Sequence, residues 1–166
     1  MAARAKPSAA THPGDRVLAI TRVFDAPRSL VFEAWTRKEH LDKWCAPRGF
    51  TVPYSEGELR PGGAWRSVMR APDGTEHRLG GIYREIVEDE LLVFTHAWED
   101  EHGQRGHETV VTVRFADQGG KTKLTFHQAS FDTSEARDGH AGGWAECFDR
   151  LAAYLAALRV RSGSAH

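Results

Sequence analysis

Cysteine is scarce in this chain: Cys45 and Cys147 are the only two in 166 residues. A disulfide framework would use more, and the pair lies far apart without the CxxC spacing of redox or zinc motifs. Both thiols are therefore expected to be free, as suits a reducing cytoplasm. Long apolar runs are missing too, none approaching the roughly 20 residues of a membrane span. An excess of either charge is also absent. Against 22 Lys and Arg stand 23 Asp and Glu, a net charge of -1, which gives no electrostatic case for nucleic acid or an anionic membrane as partner. The amino-terminal stretch MAARAKPSAATHPGD has Arg4 and Lys6 but no apolar segment behind them, so it does not read as a signal peptide. Rich in Ala, Pro, Ser and Thr, residues 1–15 read as a disordered tail. These absences point to a soluble cytoplasmic protein without internal repeats or low-complexity segments.

At 40% hydrophobic and 27% charged residues, the chain has the composition of one globular domain. Its expected extent is 16–159, with 160–166 as a carboxyl-terminal tail. Residues 16–24 (RVLAITRVF) are β-branched and alternate as a strand does. Asp25 and Pro27 then signal a helix start, Asp25 as cap and Pro27 in the first turn. Leu30, Val31, Ala34 and Trp35 follow at helical spacing. A second short helix is expected over 38–43, ending before Pro47. From there strand signals dominate: 50–58, 64–70, 76–87, 91–98, 109–115 and 123–128. Pro72-Asp73-Gly74 marks a hairpin turn. Gly80-Gly81 marks a bulge or sharp bend.

The chain closes on a long helix whose stripe Trp144, Phe148, Leu151, Leu155 and Leu158 steps by four, three, four and three. Cys147 and Tyr154 widen the stripe, while Glu146, Asp149 and Arg150 face away. Before it stand Gly139, Gly142 and Gly143, poor helix formers. Gly142 and Gly143 are expected to allow a close backbone approach to the sheet where Trp144 projects inward, the alternative being that Gly139 ends a preceding turn. Strand, two helices, six strands, helix is an α+β order with an antiparallel sheet.

Candidate chemistry is sparse. By alternation His127 points away from the core side of its strand, whereas Phe94, His96 and Trp98 share one face. That makes His96 a candidate pocket group, able to act as acid or base, against a structural, hydrogen-bonded role. The loop Asp100–Glu108 carries two histidines and several carboxylates, but it matches no ligand pattern and reads as a solvated loop. No metal or cofactor is expected, and GHAGG lacks the spacing of a dinucleotide motif. The aromatic set is the strongest signal. Trp65 and Met69 share a strand face, as do Phe94 and Trp98; Val113 and Phe115 share another with Val111, and Phe126 a fourth with Leu124. With Trp144 and Phe148 these residues line one interior, either a packed core or the wall of a cavity.

Three motifs add a resemblance: FDAPRSLVFEAWT (24–36), LDKWCAP (41–47) and GHAGGWAECFDRLAAYL (139–155). Over 17–158 the chain resembles the START-like, or helix-grip, superfamily, and more narrowly the branch named after the activator of the heat-shock protein 90 ATPase. The resemblance implies about seven curved antiparallel strands wrapped around a long carboxyl-terminal helix, with two short helices after the first strand. It also implies a cavity between sheet and helix that takes apolar or aromatic small molecules. One departure concerns the second motif. The family commonly has two tryptophans and a glycine before the proline, but here Trp44 stands alone, followed by Cys45 and Ala46, which implies a smaller or differently shaped pocket mouth. The functional expectation is a non-enzymatic binder of an apolar small molecule. The alternatives are a small hydrolase or cyclase using His96, and a co-chaperone of the heat-shock ATPase. Whether the chain acts as a monomer or a homodimer is left open by the sequence.

Overall fold

A computed structural model describes the backbone of residues 16–164 and the side chains of 16–159; the expected tail over 1–15 lies outside the described residues. Its elements are β1 (Leu18–Phe24), α1 (Arg28–Thr36), α2 (Lys38–Trp44), β2 (Thr51–Gly57), β3 (Ala64–Arg70), β4 (Glu76–Val87), β5 (Leu91–Glu99), β6 (Thr109–Gln118), β7 (Lys121–Ala129) and α3 (Ser134–Ser164). The seven strands form one antiparallel sheet in the order β1-β7-β6-β5-β4-β3-β2. Hairpins therefore join every neighbouring pair except β1 and β7. Gly74, at φ +91, makes the β3–β4 turn, and Gly119 and Gly120, at φ +64 and +89, make the β6–β7 turn. These are conformations that a side chain disfavours.

The start of α1 departs from expectation. Pro27 is the cap residue and no side chain caps the helix. Asp25 instead takes Arg159 of α3, through its carbonyl at 2.7 Å and its carboxylate at 3.3 Å. That contact ties the far end of α3 to the β1–α1 turn. α3 itself runs to Ser164, through most of the segment expected as a tail.

The Gly80-Gly81 pair lies where the β4–β5 ladder opens. Pairing is regular up to Gly80↔Ala97 and resumes at Tyr83↔Phe94, with a register slip between Tyr83 and Glu85. Across the gap the Ile82 N–H donates to the Thr95 hydroxyl at 2.8 Å. A Cβ on Gly81 would lie 1.9 Å from the Thr95 carbonyl oxygen, so only glycine fits there.

Helices cover the sheet unevenly, and this positions the site. α1 packs on β6 and β7, α3 on β1 and α2, and α2 on β2. Phe24, Val111, Val113, Leu124, Phe126, Phe148, Leu151 and Leu155 fill the covered β1-β7-β6 half and are buried. The stripe predicted for α3 is this face. The concave side of β3, β4 and β5 lies between the two helical blocks and is not filled from α3 in the same way.

Candidate functional site: a side cavity between sheet and helices

The gap between the helical blocks holds about 890 Å³ of empty space, counted out to its solvent-open mouth. Its inner wall comes from the concave face of the sheet: Trp65 and Met69 on β3, Tyr83 on β4, Phe94 and His96 on β5. Trp144 of α3 and Trp35 of α1 close the helical side. The mouth is built from α2 and the edge strand, with Lys38, Leu41, Asp42 and Cys45 facing Val52, Ser55 and Glu56.

Aromatic packing fixes these walls. Trp35 stacks on Trp144 at 5.8 Å between ring centroids and meets Trp44 edge-on at 4.9 Å. Trp65 and Tyr83 each meet Phe94 edge-on, at 5.7 and 6.1 Å. Hydrogen bonds then set the orientation of the two wall tryptophans. The Trp65 indole donates at 3.1 Å to the Thr95 carbonyl, beside the ladder opening at Gly81. The Trp144 indole donates at 2.9 Å to Gln128 Oε1. Gln128 is fully buried; its Nε2 donates to the Thr109 hydroxyl at 2.8 Å, which donates to the His96 carbonyl at 3.1 Å. A buried amide with both ends engaged avoids the penalty of an unpaired polar group.

His96 is buried against Trp65, Trp98 and His140, with ring centroids 5.9, 5.4 and 5.4 Å away. Burial first, then the neighbouring His140, pulls its pKa down to about 3, while a bond to its own backbone pulls weakly the other way. The ring is thus neutral near pH 7. Burial likewise pushes the Tyr83 hydroxyl up to about 12 and the Cys45 thiol up to about 12, Arg150 opposing the latter weakly. Cys147, a free thiol on the buried face of α3, is raised by the same cause.

The mouth is held by ion pairs and a clasp. Lys38 Nζ lies 2.8 Å from Asp42 Oδ2, and Asp42 Oδ1 takes the Ser55 hydroxyl at 2.5 Å, joining α2 to β2. Behind them Arg150 holds the α2–β2 loop, donating to the carbonyls of Ala46, Pro47 and Phe50 at 2.8, 3.0 and 3.1 Å. Glu146 takes the Arg48 N–H at 2.9 Å. Both residues point away from the sheet as predicted, but onto this loop rather than into water.

Of the ten residues singled out in the sequence, Trp65, Met69, Phe94, His96 and Trp144 line the cavity. Val113, Phe115, Phe126 and Phe148 lie in the solid half, with Phe126 against Phe148 at 5.4 Å and Phe115 against Phe32 at 5.3 Å. Trp98 is 39% exposed and donates to His140 Nε2 at 3.1 Å, outside the cavity wall. The α2 and β2 contributors, Tyr83, and the orienting Gln128 and Thr109 escaped the sequence reading. A buried Gln flanked by inward Phe126 was the available signal.

The glycine expectation is overturned. Gly139, Gly142 and Gly143 all lie inside α3. A Cβ at Gly139 or Gly142 would meet nothing within 4 Å, and at Gly143 only Pro47 at an ordinary 3.8 Å. The close approach occurs at Gly80 and Gly81 instead.

A curved antiparallel sheet around a long carboxyl-terminal helix, with two short helices after the first strand, defines the START-like, helix-grip class. The family model of the activator of Hsp90 ATPase homolog 1-like protein matches residues 25–156, and the chain belongs to that family. Among solved structures it is similar to a protein of Arthrobacter aurescens, at 25% identity and a TM-score of 0.80 over 90% of this chain and 91% of that one. It is also similar to the AHSA1 protein of Silicibacter pomeroyi, at 26% identity and a TM-score of 0.77 over 84% and 97%. A protein of Chromobacterium violaceum matches at 25% identity and a TM-score of 0.75 over 84% and 96%. No curated protein matches the chain. No helix among the described residues is long and apolar enough to cross a membrane.

Proposed function

We propose that this protein binds an apolar or aromatic small molecule in the cavity between β3–β5, α2–β2 and α3. The observation that carries the reading is a solvent-open cavity walled by the aromatic rings of Trp35, Trp65, Tyr83, Phe94 and Trp144. That lining matches small-molecule sites, which are concave, mostly apolar and supplied with a few polar groups. His96, Ser67 and the Tyr83 hydroxyl are polar groups within the sheet wall. His96 is neutral near pH 7 and serves as a hydrogen-bond partner for the ligand rather than as a charge.

The test uses N-phenyl-1-naphthylamine, an uncharged fluorescent probe. It binds at one site with roughly micromolar affinity, about 8 kcal/mol, and quenches the tryptophans of the wall. Met69→Trp, which adds volume on the inner face, abolishes binding while thermal unfolding stays cooperative, because a cavity accepts volume that a packed core resists. No binding to the parent, together with an unfolded Met69→Trp variant, would mean a solid interior and end this reading. Family membership supports a second reading, action on a heat-shock chaperone ATPase. Measuring that ATPase rate with and without the purified protein separates the two.

A further inference from the structure

The charges around the cavity carry its ligand preference one step further. Four charged side chains line it: Lys38 and Asp42 on α2 and Glu56 on β2 at the mouth, and Arg66 on β3. Lys38 is held by Asp42 at 2.8 Å. Arg66 is held at 2.9 Å by Glu99, whose side chain is only 5% exposed. A ligand anion drawing Lys38 or Arg66 away would strand a carboxylate, in the second case a nearly buried one, and that costs more than an exposed pair returns. Glu56 is exposed and takes the Tyr54 hydroxyl. Arg150, the cation behind Cys45, donates to the Ala46, Pro47 and Phe50 carbonyls. The other titratable lining groups, Cys45 at the mouth and Tyr83 and His96 on the sheet wall, are all neutral near pH 7.

We infer that the cavity selects uncharged ligands, with an apolar or aromatic body and at most a hydroxyl, carbonyl or ether-type polar group, and that it discriminates against carboxylates, phosphates and ammonium ions. This rests on the cavity reading above. A charged end placed inside would lose its hydration without gaining a partner. A hydroxyl or carbonyl can exchange water for His96 or Ser67 at little cost.

One chain with three heads tests it. Decanol, decanoate and decylammonium, each far below its micellar concentration, compete with bound N-phenyl-1-naphthylamine. Decanol is expected to displace the probe at a concentration roughly tenfold or more below either ion, a gap of about 1.4 kcal/mol or larger. Asp42→Asn then releases Lys38 at the mouth, and the gap between decanol and decanoate narrows several-fold, while that between decanol and decylammonium does not. If decanoate or decylammonium displaces the probe as well as decanol does, charge selection is wrong although the cavity stands. If Asp42→Asn leaves the decanoate gap unchanged, ion pairing is not its cause and the inference also fails. If the probe does not bind the parent, the cavity reading itself falls and takes this with it.

Discussion

Gln128 shows how much of the site depends on single polar atoms in an apolar interior. Its side chain sits between Trp144 and Thr109, accepting from one and donating to the other. Gln128→Leu keeps the volume roughly constant but leaves the Trp144 indole without its acceptor. The expected loss is about 1–3 kcal/mol, read as a lower urea midpoint with an unchanged slope. A change below about 0.5 kcal/mol would show that Trp144 finds another acceptor and is not oriented by Gln128. At this scale the sequence was half legible. Alternation in β3 and β5 identified Trp65, Met69, Phe94 and His96 as inward residues, because period-two patterning reports the face directly. It cannot report whether an inward residue meets a helix or a void. Val113, Phe115 and Phe126 face the same interior but lie under α1 and α3, where Phe148 meets Phe126, and this depends on where the helices rest. Lys38, Asp42 and Ser55 carry no periodic signature at all, being brought together by the α2–β2 clasp.

Elements were more legible than their neighbours. β3 and β4 have the boundaries expected from the sequence, since turn residues and β-branched alternation agree there. The glycines of α3 show the limit of such reasoning. A glycine signals either close approach or nothing, and only the residue opposite decides which. Gly142 lies exposed in mid-helix with empty space where its Cβ would be, whereas Gly81 faces the Thr95 carbonyl. The two therefore respond oppositely to alanine. Gly142→Ala removes a helix penalty of about 1 kcal/mol and is expected to raise Tm by about 2–4 °C in a domain this size. Gly81→Ala forces the β4–β5 ladder apart and lowers Tm by more than Gly142→Ala raises it. Calorimetry of the two variants decides the matter: a destabilised Gly142→Ala would restore a packing role for the helical glycine, and a neutral Gly81→Ala would remove it from the sheet.

For the molecule as a whole, the buried imidazole links the cavity to pH. His96 titrates at about 3 in the fold against 6.5 in an ordinary setting, because burial disfavours its charged form. Between those values the unfolded chain binds a proton that the native chain does not, so native stability rises with pH there and falls as pH is lowered from about 6.5. The half-buried His140 is also shifted downward by burial and adds in the same direction. Protonating it further removes the Nε2 lone pair that takes the Trp98 indole. Above about pH 7.5 neither group contributes a slope. Between pH 7.5 and 5.5, above the ordinary carboxylate range, the urea midpoint is expected to fall steadily once pH drops below 6.5. For His96 alone the slope approaches about 1.4 kcal/mol per pH unit. His96→Phe fills the space among Trp65, Trp98 and His140 with a ring that cannot titrate, and it is expected to flatten most of that slope. What remains belongs to His140, and His96→Phe combined with His140→Phe removes it. A parent whose stability is flat from pH 7.5 to 5.5, or a His96→Phe variant as pH-sensitive as the parent, would show that His96 accepts a proton in place, and with it that the cavity floor tolerates a charge.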